Sequence, residues 1–278
     1  MGTQFAGPVA SGSPTVLSGI KSSIAIASGK GGVGKSTVSV NLAVALAQAG
    51  AATGLLDADL YGPSIPIMMG INRMPQSNGQ KILPLEAHGV RLMSLGFLMP
   101  DGAPVIWRGP MVSGAIQQFL QDVEWGTLDY LLIDLPPGTG DAQLTLAQTI
   151  PLAGAVIVMT PQDLAMHIAS KALAMFRQLK VPILGIIENM STFVCPHCGT
   201  ASSIFREGGA RKASARLGVS YLGAIPLDPV LCRASDRGEP ILASHPDSPV
   251  AEAFRGVSRA LVDRIGEEVS STPVIRMG

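Results

Sequence analysis

Short apolar runs alternate with segments of helical spacing along most of the chain. Ser23–Ala27 and Tyr130–Ile133 are apolar throughout or nearly so, which is typical of strands buried on both faces. Across Lys35–Ala49 apolar residues recur every three or four positions, which predicts a helix that Gly50 ends. Further strands are predicted at Thr53–Leu56, Val90–Ser94, Ala155–Met159, Ile183–Ile187 and Tyr221–Ile225, and further helices at Ser113–Gln121, Ala142–Thr149, Ala165–Gln178 and Ala251–Ile265. This alternation predicts an α/β fold whose mostly parallel sheet is covered by helices on both faces.

Three stretches depart from the alternation. Residues 1–19 contain no charged side chain and are rich in Gly, Ser, Pro and Ala, which predicts a flexible tail. Residues 20–278 show no repeat and no long linker, so a single domain is expected there. Within it, Asn72–Ala87 and Ser191–Gly209 are expected to be loop insertions.

Composition restricts the classes of function. The 20 Lys and Arg residues balance 20 Asp and Glu residues, which disfavours nucleic-acid binding because neutralising phosphates requires a basic surplus. The longest apolar run, Ile150–Thr160, is shorter than the roughly 20 residues that a membrane-spanning helix needs. Three cysteines are too few for a disulfide framework. We therefore expect a cytoplasmic protein with neither nucleic-acid nor membrane partners.

A glycine-rich loop joins the first predicted strand to the first predicted helix. Its sequence, Gly29-Lys30-Gly31-Gly32-Val33-Gly34-Lys35-Ser36-Thr37, fits the pattern G-x-x-x-x-G-K-S/T in the strand–loop–helix context that this pattern requires. Glycines let backbone N–H groups surround phosphate oxygens, and the helix N-terminus adds a positive field. We expect Lys35 to contact the β- and γ-phosphates of ATP and the Ser36 hydroxyl to bind Mg²⁺.

Carboxylates follow two of the predicted strands. Asp57 and Asp59 come at the end of one, and Asp134 follows four apolar residues, as in a Walker-B strand. We expect Asp134 to hold Mg²⁺ with support from Asp57, and Asp59 to orient the attacking water. The Pro- and Gly-containing stretch Asp134–Asp141 is expected to be a switch loop, with Asp141 as the N-cap of the helix that follows.

Two cysteines lie two residues apart in Cys195-Pro196-His197-Cys198-Gly199. Two thiolates at this spacing chelate one metal, yet zinc or an iron–sulfur cluster generally needs four ligands. A two-fold symmetric dimer would supply Cys195 and Cys198 from each subunit. Thiol–disulfide exchange is a further reading, disfavoured because Thr200–Ser203 is a poor helix opening. Cys232 is expected to be a small buried hydrophobe.

These motifs together resemble a known family. Lys30 inside the phosphate loop resembles the early lysine of deviant-Walker ATPases, which crosses a dimer interface to the partner's nucleotide. The whole set is similar to the Mrp family of P-loop ATPases. The blocks that carry the likeness are Gly29–Thr37, Leu56–Ser64, Trp107–Pro110, Asp134–Asp141, Thr160–Gln162, Glu188–Ser191 and Cys195–Cys198.

The resemblance implies a function. It implies a homodimer that binds a [4Fe–4S] cluster through the paired cysteines and delivers it to apo iron–sulfur proteins, with ATP binding and slow hydrolysis. It also implies that Asn189 contacts adenine, while the block with Trp107 and Arg108 has no role that we can derive. Two alternatives stay open at this point: a positioning ATPase of the MinD or ParA kind, and an assembly chaperone for metalloenzymes in which zinc bridges the cysteines.

Overall fold

The computed structural model describes residues 19–59, 62–98, 120–206 and 208–271. The strands of these residues are β1 (Ile20–Ala27), β2 (Thr53–Asp57), β3 (Leu85–Ala87), β4 (Val90–Ser94), β5 (Leu128–Asp134), β6 (Gly154–Met159), β7 (Ile183–Val194), β8 (Ala201–Ser202) and β9 (Tyr221–Leu227). The helices are α1 (Lys35–Gln48), α2 (Ile65–Met68), α3 (Asp141–Thr149), α4 (Asp163–Gln178), α5 (Gly209–Leu217), α6 (Pro229–Asp236), α7 (Ile241–Ser244) and α8 (Pro249–Ser271), with a 3₁₀ turn at Leu95–Leu98.

The strands form one sheet in the order β3-β4-β2-β5-β1-β6-β7-β8, and β9 also pairs with β7. All pairs are parallel except β3 with β4 and β7 with β8, which are antiparallel. The predicted α/β class with a mostly parallel sheet is therefore confirmed. β1 lies in the middle, so the loop that follows it opens between β5 and β6 at the carboxyl edge of the sheet, where α/β folds place ligands.

Each face of the sheet has its own hydrophobic core. Because successive strand residues point to opposite faces, Ile24 and Ile26 of β1 pack in the core that contains α1 and α8, whereas Ala25 and Ala27 pack in the core that contains α3, α4 and α5. Small alanines on the second face leave room for larger side chains such as Phe176 of α4, which is fully buried. Both faces of the sheet are therefore packed against helices, which supports its carboxyl edge.

Helix α8 covers the first face as predicted for its apolar positions. Phe254, Val257, Leu261 and Ile265 are all buried in that core, and α8 contacts β9 and α1. Burying such side chains contributes about 1.5–3 kcal/mol each relative to leaving them in water. The apolar face of this helix is therefore used inside the molecule.

Several predicted boundaries were wrong; α8, for example, continues to Ser271 instead of ending at Ile265. Strand β7 continues to Val194 instead of ending at Ile187, because Phe193 pairs with both β9 and β8. The stretch Ser191–Gly209 is consequently not a simple loop: it holds the end of β7 and all of β8. Asp141 is the first residue of α3 and Gly140 is its N-cap, so Asp141 does not cap the helix.

The other predicted loop insertion, Asn72–Ala87, is irregular apart from β3 and two isolated bridges, which join Ile82 to Ser77 and to Val123. The predicted helix Ser113–Gln121 lies almost entirely outside the described residues, and so does the predicted tail apart from its last residue.

Candidate functional site

The glycine-rich loop lies between the end of β1 and the start of α1. Gly32 and Gly34 have φ angles of 74° and 77°, which L side chains rarely adopt, so glycine is required for this path of the backbone. Gly34 is also the N-cap of α1, and no side chain caps that helix. The loop therefore leaves backbone N–H groups at a helix N-terminus, which is an anion-binding arrangement.

A cleft of about 200 Å³ opens above this loop. Its lining combines the loop with three other segments of the chain. The lining residues are Ser28, Lys30, Gly31, Gly32, Val33, Gly34, Lys35, Ser36, Thr37, Asp59, Ser64, Met68 and Pro137. The predicted switch loop contributes Pro137, and its Gly138 N–H donates to the Ser28 carbonyl at 3.0 Å. This hydrogen bond connects the predicted switch loop to Ser28, the residue before the phosphate loop.

Asp134 is the centre of a buried polar cluster at the base of the cleft. Its Oδ2 accepts hydrogen bonds from Lys35 Nζ and Ser36 Oγ, each at 2.6 Å, and its Oδ1 accepts one from Ser39 Oγ at 2.6 Å. The side chains of Lys35 and Asp134 are 5% and 0% exposed, so this ion pair is screened little by water. Phosphate oxygens would compete with Asp134 for the Lys35 ammonium, which lies at the phosphate loop.

Asp57, at the end of β2, is a second buried carboxylate. It accepts hydrogen bonds from the Asp59 and Ile65 N–H groups at 3.2 and 3.3 Å and from Ser94 Oγ at 3.2 Å. Burial, reinforced by the negative charge of Asp134, raises the pKa of Asp57 to about 7. A substantial fraction of the Asp57 carboxyl is therefore protonated near neutral pH, and a nearby positive charge would favour its ionised form.

The oxygens in this region fit a magnesium site. Mg²⁺ takes oxygen ligands and is usually bound by one or two carboxylates together with substrate phosphates. The Ser36 hydroxyl donates a hydrogen bond to Asp134, and Asp57 lies beside Asp134 in the pairing of β2 with β5. Asp59 lies at the cleft itself, where its carboxylate is partly exposed and its backbone N–H is tied to Asp57.

Lys30 contacts a residue of its own chain. Its Nζ donates to Gln162 Oε1 at 2.9 Å. Gln162 is the N-cap of α4, and both side chains are partly buried. The Thr160–Gln162 block thus meets the phosphate loop through this hydrogen bond.

Asn189 also reaches the phosphate loop, from β7. Its Nδ2 donates to the Val33 carbonyl at 2.8 Å, and the residue is 3% exposed. A Cβ on Gly34 would lie 2.2 Å from Asn189 Nδ2, so the two segments are in the closest contact that glycine allows. Asn189 lies inside β7, not after it as predicted, and its contact with adenine stays a prediction.

The paired cysteines occupy the turn between β7 and β8. The Cys195 N–H donates to the Thr200 carbonyl at 3.0 Å and the Gly199 N–H to the Cys195 carbonyl at 2.8 Å, which closes the turn. Cys198 Sγ lies 3.3 Å from Thr200 Oγ1. Hydrogen bonds from the Thr200 hydroxyl and backbone, together with Cys195, lower the pKa of the Cys198 thiol and so favour the thiolate that binds metals.

These two thiols are the predicted metal ligands. Within the described ranges no cluster of three or more His, Cys, Asp or Glu side chains is placed to hold a metal ion. His197 is exposed, as expected for a residue of a solvated turn. Cys232 is exposed on α6, so the prediction of a buried hydrophobe was wrong: it lies on the outer side of the short helix, next to the buried Leu231. In the part of the chain that the structure describes, the turn therefore offers two of the four ligands that such sites generally need.

Two adjacent residues of β7, the strand that leads into the cysteine turn, make contacts with other segments. Asn189 contacts the phosphate loop, and Glu188 Oε2 accepts the Ala210 N–H at 2.6 Å near the start of α5, where the chain returns from the turn. Gly209 lies so close to the Pro161 carbonyl that a Cβ there would approach its oxygen to 2.3 Å. The cysteine turn thus follows a strand that contacts the phosphate loop.

Sequence reasoning missed two participants. Ser39 lies one helical turn beyond Ser36, so the i, i+3 spacing from the loop serine could have identified it as a second donor to Asp134. Ser94 ends β4 beside β2, and a polar residue at that carboxyl edge could have been assigned to Asp57. Trp107 and Arg108 lie outside the described residues.

Among the helices of the described part, none has both the length and the apolar composition needed to cross a bilayer.

Comparisons with known proteins agree with this geometry. A ParA family model described as NUBPL iron-transfer P-loop NTPase matches residues 19–262. The chain is 49% identical over 255 residues to the iron-sulfur cluster carrier protein of Aquifex aeolicus, covering 91% of this chain and 70% of that protein. The solved structure of a nucleotide-binding protein from Archaeoglobus fulgidus in complex with ADP has a TM-score of 0.75 at 41% identity, over 86% of this chain and 94% of that one. The cell division ATPase MinD of Pyrococcus furiosus has a TM-score of 0.67 at 22% identity, over 87% of this chain and 99% of that one, which shows a shared fold alone.

Proposed function

Because the chain belongs to the family of NUBPL iron-transfer P-loop NTPases, we propose that it is an ATP-binding carrier of iron–sulfur clusters. In this proposal a [4Fe–4S] cluster is held between two copies of the chain and is transferred to apo-proteins. The membership agrees with the resemblance to the Mrp family that the motifs indicate. The observation that carries the proposal is a cysteine pair, with Cys198 exposed and Cys195 partly exposed, in the turn that follows the strand contacting the phosphate loop.

The nucleotide site is proposed to bind ATP through groups that are already in place. Backbone N–H groups at the start of α1 and the Lys35 ammonium would bind the phosphates, and Asp134, Ser36 and Asp57 would hold Mg²⁺. Mg²⁺, when bound, supplies positive charge that neutralises the phosphate oxygens. Asp59 at the cleft would orient the attacking water. Hydrolysis is expected to be slow because Lys30 must come from a partner subunit to complete the site.

The cysteine turn is proposed to hold the cargo. Cys195 and Cys198 supply two thiolates, and the same pair of a second copy supplies the other two. Transfer is then a ligand exchange, in which thiolates of the acceptor replace those of the carrier and the cluster keeps its electrons. Cys198 is exposed and Cys195 is partly exposed, which suits such an exchange because an acceptor must reach both residues.

Strand β7 gives the two sites a short connection. Asn189 contacts the phosphate loop, and Cys195 follows six residues later on the same strand and its turn. Met190 between them has a φ of 56°, which is rare for a residue with a side chain, and the pairing with β9 shifts register between Asn189 and Phe193. We propose that nucleotide binding at Asn189 alters this irregular segment and thereby the cysteine turn.

The compartment proposed is the cytoplasm, because thiols that serve as ligands persist in a reducing environment.

Anaerobic reconstitution with iron and sulfide tests the proposal. The wild-type chain is expected to gain visible absorption and to bind four irons per two chains, whereas Cys195→Ser and Cys198→Ser lose both and keep their affinity for ATP. Cys232→Ser is the matched control, because that thiol is exposed on α6 and should leave iron binding unchanged. Unchanged iron binding in the Cys198→Ser chain would rule out the proposed site.

The alternatives are outcomes of the same experiment. Zinc bound at one ion per two chains, with no uptake of iron and sulfide, would favour the assembly-chaperone reading, since four thiolates suit zinc as well. The apolar side chains of α8 are buried in the core, so the described part of this helix offers no apolar face with which a positioning ATPase could bind a membrane. The positioning-ATPase hypothesis also assigns no role to the cysteine turn.

A further inference from the structure

We infer that Gln162 holds Lys30 within its own chain and thereby opposes the reach of Lys30 across the subunit interface. The inference rests on the proposed function, which places Lys30 on the nucleotide of a partner subunit. Its basis is the hydrogen bond of 2.9 Å from Lys30 Nζ to Gln162 Oε1. The Lys30 ammonium cannot bind the Gln162 amide of its own chain and the phosphates of a partner's nucleotide equally well at the same time. The two contacts therefore compete.

The placement of Gln162 indicates that its side chain serves Lys30 and not its own helix. Gln162 is the N-cap of α4, a position at which the shorter Ser, Thr, Asp and Asn side chains usually accept a backbone N–H of the first turn. No side-chain cap of that kind is present at α4. The amide oxygen instead accepts the hydrogen bond of Lys30, which comes from a residue 132 positions earlier in the chain.

The electrostatics make this contact easy to release. The acceptor is a neutral amide, and it lies at the N-terminus of a helix of 16 residues, the positive end of the helix dipole. A phosphate oxygen carries negative charge, so it attracts the Lys30 ammonium more strongly than the neutral Gln162 amide oxygen does. A partner's nucleotide would therefore take Lys30 from Gln162, but only after the two subunits have come together.

The residue before Gln162 extends the consequence to the cysteine turn. The Pro161 carbonyl is in close contact with Gly209, the first residue of α5, where the chain returns from that turn. The segment that holds Lys30 in the single chain is thus packed against the start of α5. The competition between Gln162 and a partner's nucleotide for Lys30 is expected to set how readily two chains close around nucleotide.

Two substitutions at Gln162 are expected to change the strength of its contact with Lys30 in opposite directions. Gln162→Met keeps the length of the side chain and removes the strong acceptor, so half-maximal ATPase activity should be reached at a protein concentration about fivefold lower than in the wild type. Gln162→Glu replaces the neutral acceptor with a carboxylate, which forms an ion pair with Lys30. The protein concentration at half-maximal ATPase activity should therefore rise about tenfold. The rate per chain at saturating protein should stay near the wild-type value in both variants, since Lys30 still reaches the nucleotide once the dimer is closed.

The controls separate this inference from the proposed function. Gln178→Glu makes the same substitution at the exposed far end of α4 and should leave the concentration dependence unchanged. Equal half-maximal concentrations in the wild type, Gln162→Met and Gln162→Glu would overturn the inference, and so would a shift of both variants in one direction. A Lys30→Ala chain with wild-type activity at every concentration would overturn both the inference and the partner role of Lys30. Loss of activity in Lys30→Ala with unaltered Gln162 variants would overturn the inference alone.

Discussion

Asp57 makes the stability of the protein depend on pH in a direction opposite to that of most carboxylates. Its pKa is raised from 3.8 to about 7, first by burial and then by the charge of Asp134. Between about pH 4 and pH 7 the Asp57 carboxyl is therefore protonated in the folded chain and ionised in the unfolded chain. Stability from this group is fully present below the unfolded pKa and is lost as the pH rises through the folded value.

The magnitude follows from the shift. Three pKa units correspond to about 4 kcal/mol in total, and about 2–3 kcal/mol of that falls between pH 5 and pH 8. For a chain of this size such a loss lowers the melting temperature by about 5–10 °C. Replacing Asp57 by Asn removes the titration and keeps a side chain of the same shape. The Asn variant loses part of the hydrogen bonding to the Asp59 and Ile65 N–H groups, but this offset does not change with pH.

The assay is thermal unfolding of the wild type and of Asp57→Asn in EDTA, without nucleotide, at half-unit steps from pH 5 to pH 8. The difference in melting temperature, variant minus wild type, should grow with pH across this range. The difference isolates Asp57, because every other group titrates in both chains. Parallel profiles for the two chains would refute the reasoning, since they would mean that Asp57 is ionised throughout.

Two further substitutions test the phosphate site. Lys35→Ala leaves Asp134 without its buried cation, so calorimetric titration with Mg-ATP should detect no binding and denaturant unfolding should show a loss of about 3 kcal/mol; ATP binding at wild-type affinity would contradict the assignment. Gly34→Ala should weaken ATP binding at least tenfold, because a Cβ at that position displaces Asn189 Nδ2, which it would approach to 2.2 Å. Gly50→Ala is its control: Gly50 also has a positive φ but no atom within 4 Å of a Cβ, so stability should fall by about 1 kcal/mol with ATP affinity retained.

The parts of the fold that were predictable are those in which local pattern and tertiary role agree. β4 was predicted to the residue and α1 to within one residue, because the apolar run and the helical spacing also match the sides on which each element is buried. The extension of β7 to Val194 was not predictable, since it comes from pairing with β8 and β9, which lie later in the chain. Pairing between distant segments leaves no local signal.

The candidate site shows the same division. The phosphate loop could be located from its motif, because its chemistry depends on the spacing of Gly34 and Lys35 along the chain. The contacts of Lys30 with Gln162 and of Asn189 with Val33 span 132 and 156 residues. Such contacts arise from the order of strands in the sheet, and no spacing along the chain records that order. The raised pKa of Asp57 likewise depends on burial that only the folded structure defines.

The mass of the intact loaded protein tests the central claim most directly. After anaerobic reconstitution with iron and sulfide, native mass spectrometry should detect two chains with one [4Fe–4S] cluster, and the Cys195→Ser and Cys198→Ser chains should lack that species. A loaded species with the mass of one chain and a complete cluster would contradict the claim that two copies share the site.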